Sequence, residues 1–181
     1  MSRRTFLAPI LAALALVALS LTVSACGYSS DSKDVVEGEV VKLGDLKYQV
    51  VFSRFLNPND NEDAAYLVGQ PPPADGSSYF GIFLEVQNKS EETQKLAKSF
   101  TITDAGNQTF KAIPSSSLYA FPFGGEVESQ EPIPAPDSTP QQGPIEGSLV
   151  LFELPSDASE NRPLTLSIAG PEGPAEVTLD L

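Results

Sequence analysis

From Leu46 onward, apolar side chains recur at every second position, the spacing of strands with one face buried. Leu46, Tyr48, Val50 and Phe52 alternate with Lys47, Gln49, Val51 and Ser53. Phe80, Ile82, Leu84 and Val86 alternate with Gly81, Phe83, Glu85 and Gln87, and Phe100 and Ile102 with Thr101 and Thr103. Asp104-Ala105-Gly106-Asn107 reads as a turn in which Gly106 supplies a positive φ, so residues 99–113 form a hairpin that returns through Thr109 to Ile113. Ser148 to Leu154 is apolar almost throughout and reads as a central strand. Leu164, Leu166 and Ile168 alternate with Thr165 and Ser167, Gly170 to Pro174 turns the chain, and Val177, Leu179 and Leu181 finish it. Lys89 to Ala97 suits either a helical turn or a polar connection between strands. Seven strands without a long helix specify an all-β chain, an antiparallel β-sandwich. Its one cysteine, Cys26, precedes every strand, so no disulfide braces the fold. Apolar burial must hold it, at roughly 1.5–3 kcal/mol per fully buried side chain.

The 181 residues suffice for one domain of ordinary size. They include no His, which removes Ser-His-Asp triads, Cys-His dyads and His-ligated metals. Eleven Lys and Arg face 24 Asp and Glu, for a formal charge of −13. Such a chain is unsuited to nucleic acid, whose phosphates demand cations. The sequence calls for no cofactor.

The N-terminus has the parts of a secretory signal. Arg3 and Arg4 form a positive start, Phe6 to Leu19 is an apolar run, and small residues precede Cys26. Val23-Ser24-Ala25-Cys26 resembles a bacterial lipobox. The resemblance implies that a peptidase cuts between Ala25 and Cys26 and that the Cys26 sulfur carries a diacylglyceryl group. The competing readings are a free thiol after an ordinary signal, and an uncleaved helix over Phe6 to Val23, which is just long enough to span a bilayer. Ser2-Arg3-Arg4-Thr5-Phe6-Leu7 also resembles a twin-arginine motif, and a general secretory signal stays open beside it. The expected organisation is a signal peptide over residues 1–25, a polar tether without fixed structure over 26–39, and a β-sandwich over 40–181. Removing residues 1–25 leaves 9 basic and 24 acidic residues, a charge of −15. That charge predicts repulsion of the domain body from anionic head groups.

Four segments carry a family resemblance. Leu43-Gly44-Asp45-Leu46-Lys47-Tyr48-Gln49-Val50 resembles the opening strand of immunoglobulin-like (telokin-like) domains of bacterial lipoproteins. Phe80 to Asn88 is similar to their second strand, Phe100 to Asn107 to their hairpin, and Gly147 to Pro155 to a later strand. The resemblance covers residues 40–181 and implies an immunoglobulin-like sandwich of about seven strands at the cell envelope. It transfers no catalytic residue, and the chain departs from it by long insertions.

Those insertions hold the candidate sites. Asp60, Glu62 and Asp63, in the Asn/Asp/Glu-rich stretch 57–63, are candidate calcium ligands, because calcium takes carboxylate and amide oxygens; a solvated acidic loop is the alternative. Tyr119, Phe121 and Phe123 alternate in a segment that reads either as an exposed aromatic surface for a partner or as a strap folded over the core. Glu131-Pro132-Ile133-Pro134-Ala135-Pro136 reads as polyproline II. Glu126, Glu128 and Glu131 are carboxylates in a Pro/Gly loop, and Asn88 and Asn107 stand in glycosylation sequons that equally read as turns. The expected function is that of a non-enzymatic binding module on the extracytoplasmic face of the cell membrane. Acylated Cys26 would hold it in the bilayer, and a protein or polymer of the envelope would be its partner. The alternatives are a hydrolase using carboxylates or a hard metal, and a structural spacer.

Overall fold

The computed structural model describes residues 34–180. The signal peptide, the cleavage point at Ala25 and Cys26, and Leu181 lie outside them. The first half of the domain contains β1 (Asp34–Val36), β2 (Val40–Leu43), β3 (Leu46–Leu56), α1 (Asn61–Tyr66), β4 (Ser77–Asn88), β5 (Gln94–Lys95), β6 (Phe100–Thr103) and β7 (Thr109–Lys111). After a long connection come β8 (Glu126–Val127), β9 (Pro132–Ile133), β10 (Ser148–Pro155), β11 (Thr165–Ile168) and β12 (Ala175–Thr178). All seven strands expected from the alternation are present. The five added ones are two to four residues long, too short for a period to register.

Two sheets pack face to face as a β-sandwich. The first has the order β1-β12-β11-β6-β7 and the second β10-β4-β3-β2. β9 continues the β10 side of β4, pairing Ile133 with Val86. Neighbours run antiparallel except β1, which lies parallel to β12 with Val35 opposite Val177. This pairing corrects the expected tether of residues 26–39. Val35 is buried, and Asp34 to Val36 are already sheet.

The main core lies between the sheets. β4 contributes Phe80, Ile82, Leu84 and Val86, while Ile102, Leu166, Ile168 and Val177 face them from the first sheet. β3 begins as the alternation predicts, with Leu46, Tyr48 and Val50 inward. A bulge at Val51 then breaks the register: Val50 sits opposite Leu84, but Phe52 sits opposite Phe83. One extra residue reverses the facing of everything beyond it. Phe52, expected in the core, is exposed; Ser53 is buried and Phe55 packs its ring edge-on against Phe80. Arg54 and Leu56 swing to the outer face.

That outer face holds a second core. Leu56, Tyr79, Phe83, Leu149 and Leu151 gather with Tyr66 of α1 and its neighbour Leu67, and Tyr119 and Ile145 close over them. Phe83 and Tyr119 both meet the Tyr66 ring edge-on, at 5.0 and 4.7 Å between centroids. Gly81 lies beneath this layer: a Cβ there would approach Leu149 to 3.0 Å and Leu56 to 3.1 Å. β10 is apolar almost throughout because both of its faces are covered. It is not the central strand that its composition suggests, since it ends the sheet. Its free edge is taken by the segment after β7, where the Ile113 amide donates to Leu151 O (2.8 Å) and the Phe121 amide to Leu149 O (2.8 Å). In the turn between β6 and β7, Asn107 takes the positive φ (64°) in place of the expected Gly106, and the buried Asp104 carboxylate accepts the Gln108 amide. Asn tolerates the left-handed region well enough to serve there.

The Tyr66 hydroxyl is buried, and the Ile145 backbone beside it falls short of good hydrogen-bond geometry. Removing an unsatisfied buried hydroxyl relieves a desolvation cost. Tyr66→Phe is therefore expected to raise unfolding stability by about 1 kcal/mol. Phe83→Ala is expected to lower it by about 3–5 kcal/mol. Urea denaturation of both variants checks the pair; a destabilised Tyr66→Phe would contradict the packing described.

Candidate functional site

The acidic insertion folds into α1. Asp60 is the N-cap, its Oδ1 accepting the amides of Glu62 (2.9 Å) and Asp63 (3.2 Å). Asp63 is buried and receives both terminal nitrogens of Arg54 together with the Asn57 amide (2.7 Å). Glu62 lies 3.5 Å from the same guanidinium. The candidate calcium ligands are thus engaged in a helix cap and an ion-pair network, on the face that the bulge turned toward them. The signature was present in the sequence, since Asp60 followed by acids in a first turn is a helix start.

The aromatic segment is mainly a strap. Phe121 is 2% exposed and meets Phe100 edge-on at 5.1 Å between centroids. Tyr119 belongs to the second core. Phe123 stands apart at 36% exposed, touching Phe100 and Phe121 with its ring edge. Glu126 pairs across β8 with Lys95 of β5, and Glu128 accepts the Thr93 hydroxyl (2.8 Å), which places these carboxylates in surface contacts. Asn88 is buried and donates to the carbonyls of Glu92, Val127 and Glu128, so the first sequon residue locks β4 to the β5–β8 ribbon.

Several grooves stand open among the described residues. One, of about 360 Å³, lies between β4 and the proline segment and is lined by Glu85, Gln87, Pro132, Pro134, Asp137 and Glu146. Partial burial, and then the nearby Glu146, push the Glu85 carboxyl above its ordinary range. It is acid-lined and holds no basic side chain. A second groove, of about 560 Å³, lies over Leu43, Leu46, Tyr48 and Ala169 and is flanked by Lys95 and Lys98. Tyr48 forms its floor, with the hydroxyl accepting the Ala97 amide (2.9 Å) and burial raising its phenol pKa. A third, of about 580 Å³, runs along Phe100, Ile113 and Phe123 between Lys98 and Lys111. These two grooves share Lys98, and neither is lined by a carboxylate.

Both lysine grooves sit at the end where β1 begins. Asp34 pairs with Glu176 at the start of β12, beside the β11–β12 turn. That turn packs on the β2–β3 turn, where a Cβ on Gly170 would come within 2.5 Å of Leu43. Lys42 and Lys47 pair beside the same turn, Lys89 follows β4, Lys95 and Lys98 flank the second groove, and Lys111 ends β7. The six described lysines are all exposed and all at this end. Arg54 and Arg162 lie toward the other, where β3 finishes and β11 begins. No single motif predicts this, because positions 42, 47, 89, 95, 98 and 111 meet only through strand topology.

No protein-family model matches the sequence, and no curated protein matches it. Among solved structures, the chain is similar to an uncharacterized beta-sandwich protein from Clostridium difficile 630, at 13% identity and a TM-score of 0.51, covering 82% of this chain and 95% of that one. It is also similar to the yjhA protein from Bacillus subtilis, at 15% identity and a TM-score of 0.50, covering 80% and 99%. These likenesses show the β-sandwich fold alone.

With Asp63 holding Arg54 in a partly buried pair, Asp63→Ala is expected to destabilise the protein by about 3 kcal/mol, since it strands the guanidinium and uncaps the Asn57 amide. Millimolar calcium is expected to leave the thermal midpoint of the parent unchanged. A calcium-dependent rise in that midpoint would restore Asp60, Glu62 and Asp63 as metal ligands.

Proposed function

We propose that this chain is a membrane-anchored lipoprotein of the bacterial cell envelope: an immunoglobulin-like, telokin-like sandwich held on the extracytoplasmic face by acylated Cys26. It acts as a non-enzymatic binding module for a protein or polymer of the envelope. The observation that carries this reading is the pairing of β1 with β12, which fixes the buried Val35 in the first sheet nine positions after Cys26. Nine extended residues reach about 32 Å at most. An acyl chain on Cys26 would keep the domain beside the bilayer, close enough to work on neighbours at the membrane.

Binding accounts for the grooves better than a spacer role does, because a spacer needs no open concave surface. The acid-lined groove suits cationic groups on a partner, with Glu85, Asp137 and Glu146 offering charge and the prolines a stiff wall. The hydrolase reading finds its carboxylates otherwise engaged: Asp60 in a cap, Asp63 in an ion pair, and Glu128 with Thr93.

The test of anchoring is fractionation of cells that express the full chain. It is expected to stay with membranes through high-salt washing and to leave with detergent. A chain whose residues 1–26 are replaced by an ordinary cleavable export signal is expected in the soluble extracytoplasmic fraction. Release of the full chain by salt alone would overturn the proposal.

A further inference from the structure

The chain is strongly acidic, yet its described lysines gather at one end. The end where Asp34 enters carries six lysines against nine carboxylates, and the rest of the described domain has two arginines against fourteen. Within the lysine end, the two grooves that meet at Lys98 contain apolar side chains and lysines without a carboxylate. Among the described residues, Arg54 makes the ion pairs and the lysines make none. Phe123, more exposed than the rings it touches, sits on the wall of the groove between Lys98 and Lys111. Cations beside an apolar wall fit an amphiphile with an anionic head.

We propose that this end of the sandwich is a bilayer-contacting surface, on which Lys95, Lys98 and Lys111 take the phosphates of anionic lipid while Phe123 rests at the head-group boundary. The inference builds on the anchored reading above, and the tether's attachment selects lipid as the occupant. Seven residues separate Cys26 from Asp34, so the lysine end is the one that the anchor brings to the membrane. β3 alone, with 11 residues, extends about 35 Å, which sets the acidic end well away from the surface. The expectation that the whole domain is repelled is thereby revised. The repulsive charge lies mostly at the far end, and a negative leaflet turns that end outward. Lysines near an anionic surface attract it only within about a Debye length, roughly 10 Å at 0.1 M salt, so the contact is close and salt-sensitive.

The sequence contains no Trp and one Cys, which makes the test direct. The mature chain is coupled through Cys26 to a maleimide lipid, whatever the cell attaches there, in vesicles that contain brominated phosphatidylcholine. Phe123→Trp places a reporter at the lysine end, and Ala74→Trp places one in the exposed loop before β4, at the far end where Ser77 pairs with Pro155. With phosphatidylglycerol present, emission from position 123 is expected to be quenched and emission from position 74 unquenched. The quenching is expected to be lost in 1 M salt and in the Lys98→Gln/Lys111→Gln background. Equal emission from position 123 with and without phosphatidylglycerol, or quenching at position 74, would overturn the proposal. Because the coupling is chemical, that failure would leave the natural modification of Cys26 to its own test.

Discussion

Apolar side chains on both faces of β4 and β10 decide what the rest of the chain must do. Phe80, Ile82 and Leu84 fill the space between the sheets, while Tyr79 and Phe83 point the other way, with Leu149 and Leu151 beside them. A sandwich of two sheets covers only the inner faces. The outer apolar surface needs a third layer, and the long insertions supply it. α1 brings Tyr66 and Leu67, the strap after β7 brings Ile113 and Tyr119, and the stretch before β10 brings Ile145. The bulge at Val51 completes this arrangement. It turns Leu56 into the outer core and aims Arg54 at Asp63, so the ion pair pins α1 over the apolar patch. The same strap bonds to the outer edge of β10, which would otherwise stand open to another chain.

With sheet and strap fixed, topology sorts the charges. Strands that begin or end at one pole gather six lysines from separate parts of the sequence, and the connections at the other pole gather carboxylates. Net charge alone describes a body repelled by a membrane. Its distribution describes a body with one mildly negative pole, where the lysines gather, and one strongly negative pole. The parallel pairing of β1 with β12 matters here, because it sets β1's first residue, Asp34, at the lysine pole.

Much of the scaffold was legible in the residues. The alternation at Phe80 to Val86 and at Leu164 to Ile168 located strands and their inward faces. The strap reading of Tyr119 and Phe121 was among those open, since aromatics at alternate positions beside Pro and Gly suit a chain folded onto a core. Phe52 was misplaced because a single inserted residue reverses the facing of a strand without leaving a local mark. β1 was hidden because three residues carry too little periodicity and gain their place from pairing with the opposite end of the chain. β10 looked central because composition reports burial of faces and says nothing about hydrogen bonding at an edge. The lysine grooves could not be read at all, for the members of one run from Leu43 to Pro171.

The central claim is that a thioether at Cys26 ties this sandwich to lipid. The most direct measurement is intact mass and fragmentation of the N-terminal peptide of the protein purified from bacterial membranes. The account predicts a chain that begins at Cys26 and whose sulfur carries a diacylglyceryl group. A chain that begins elsewhere, or a Cys26 with a free thiol, would contradict it.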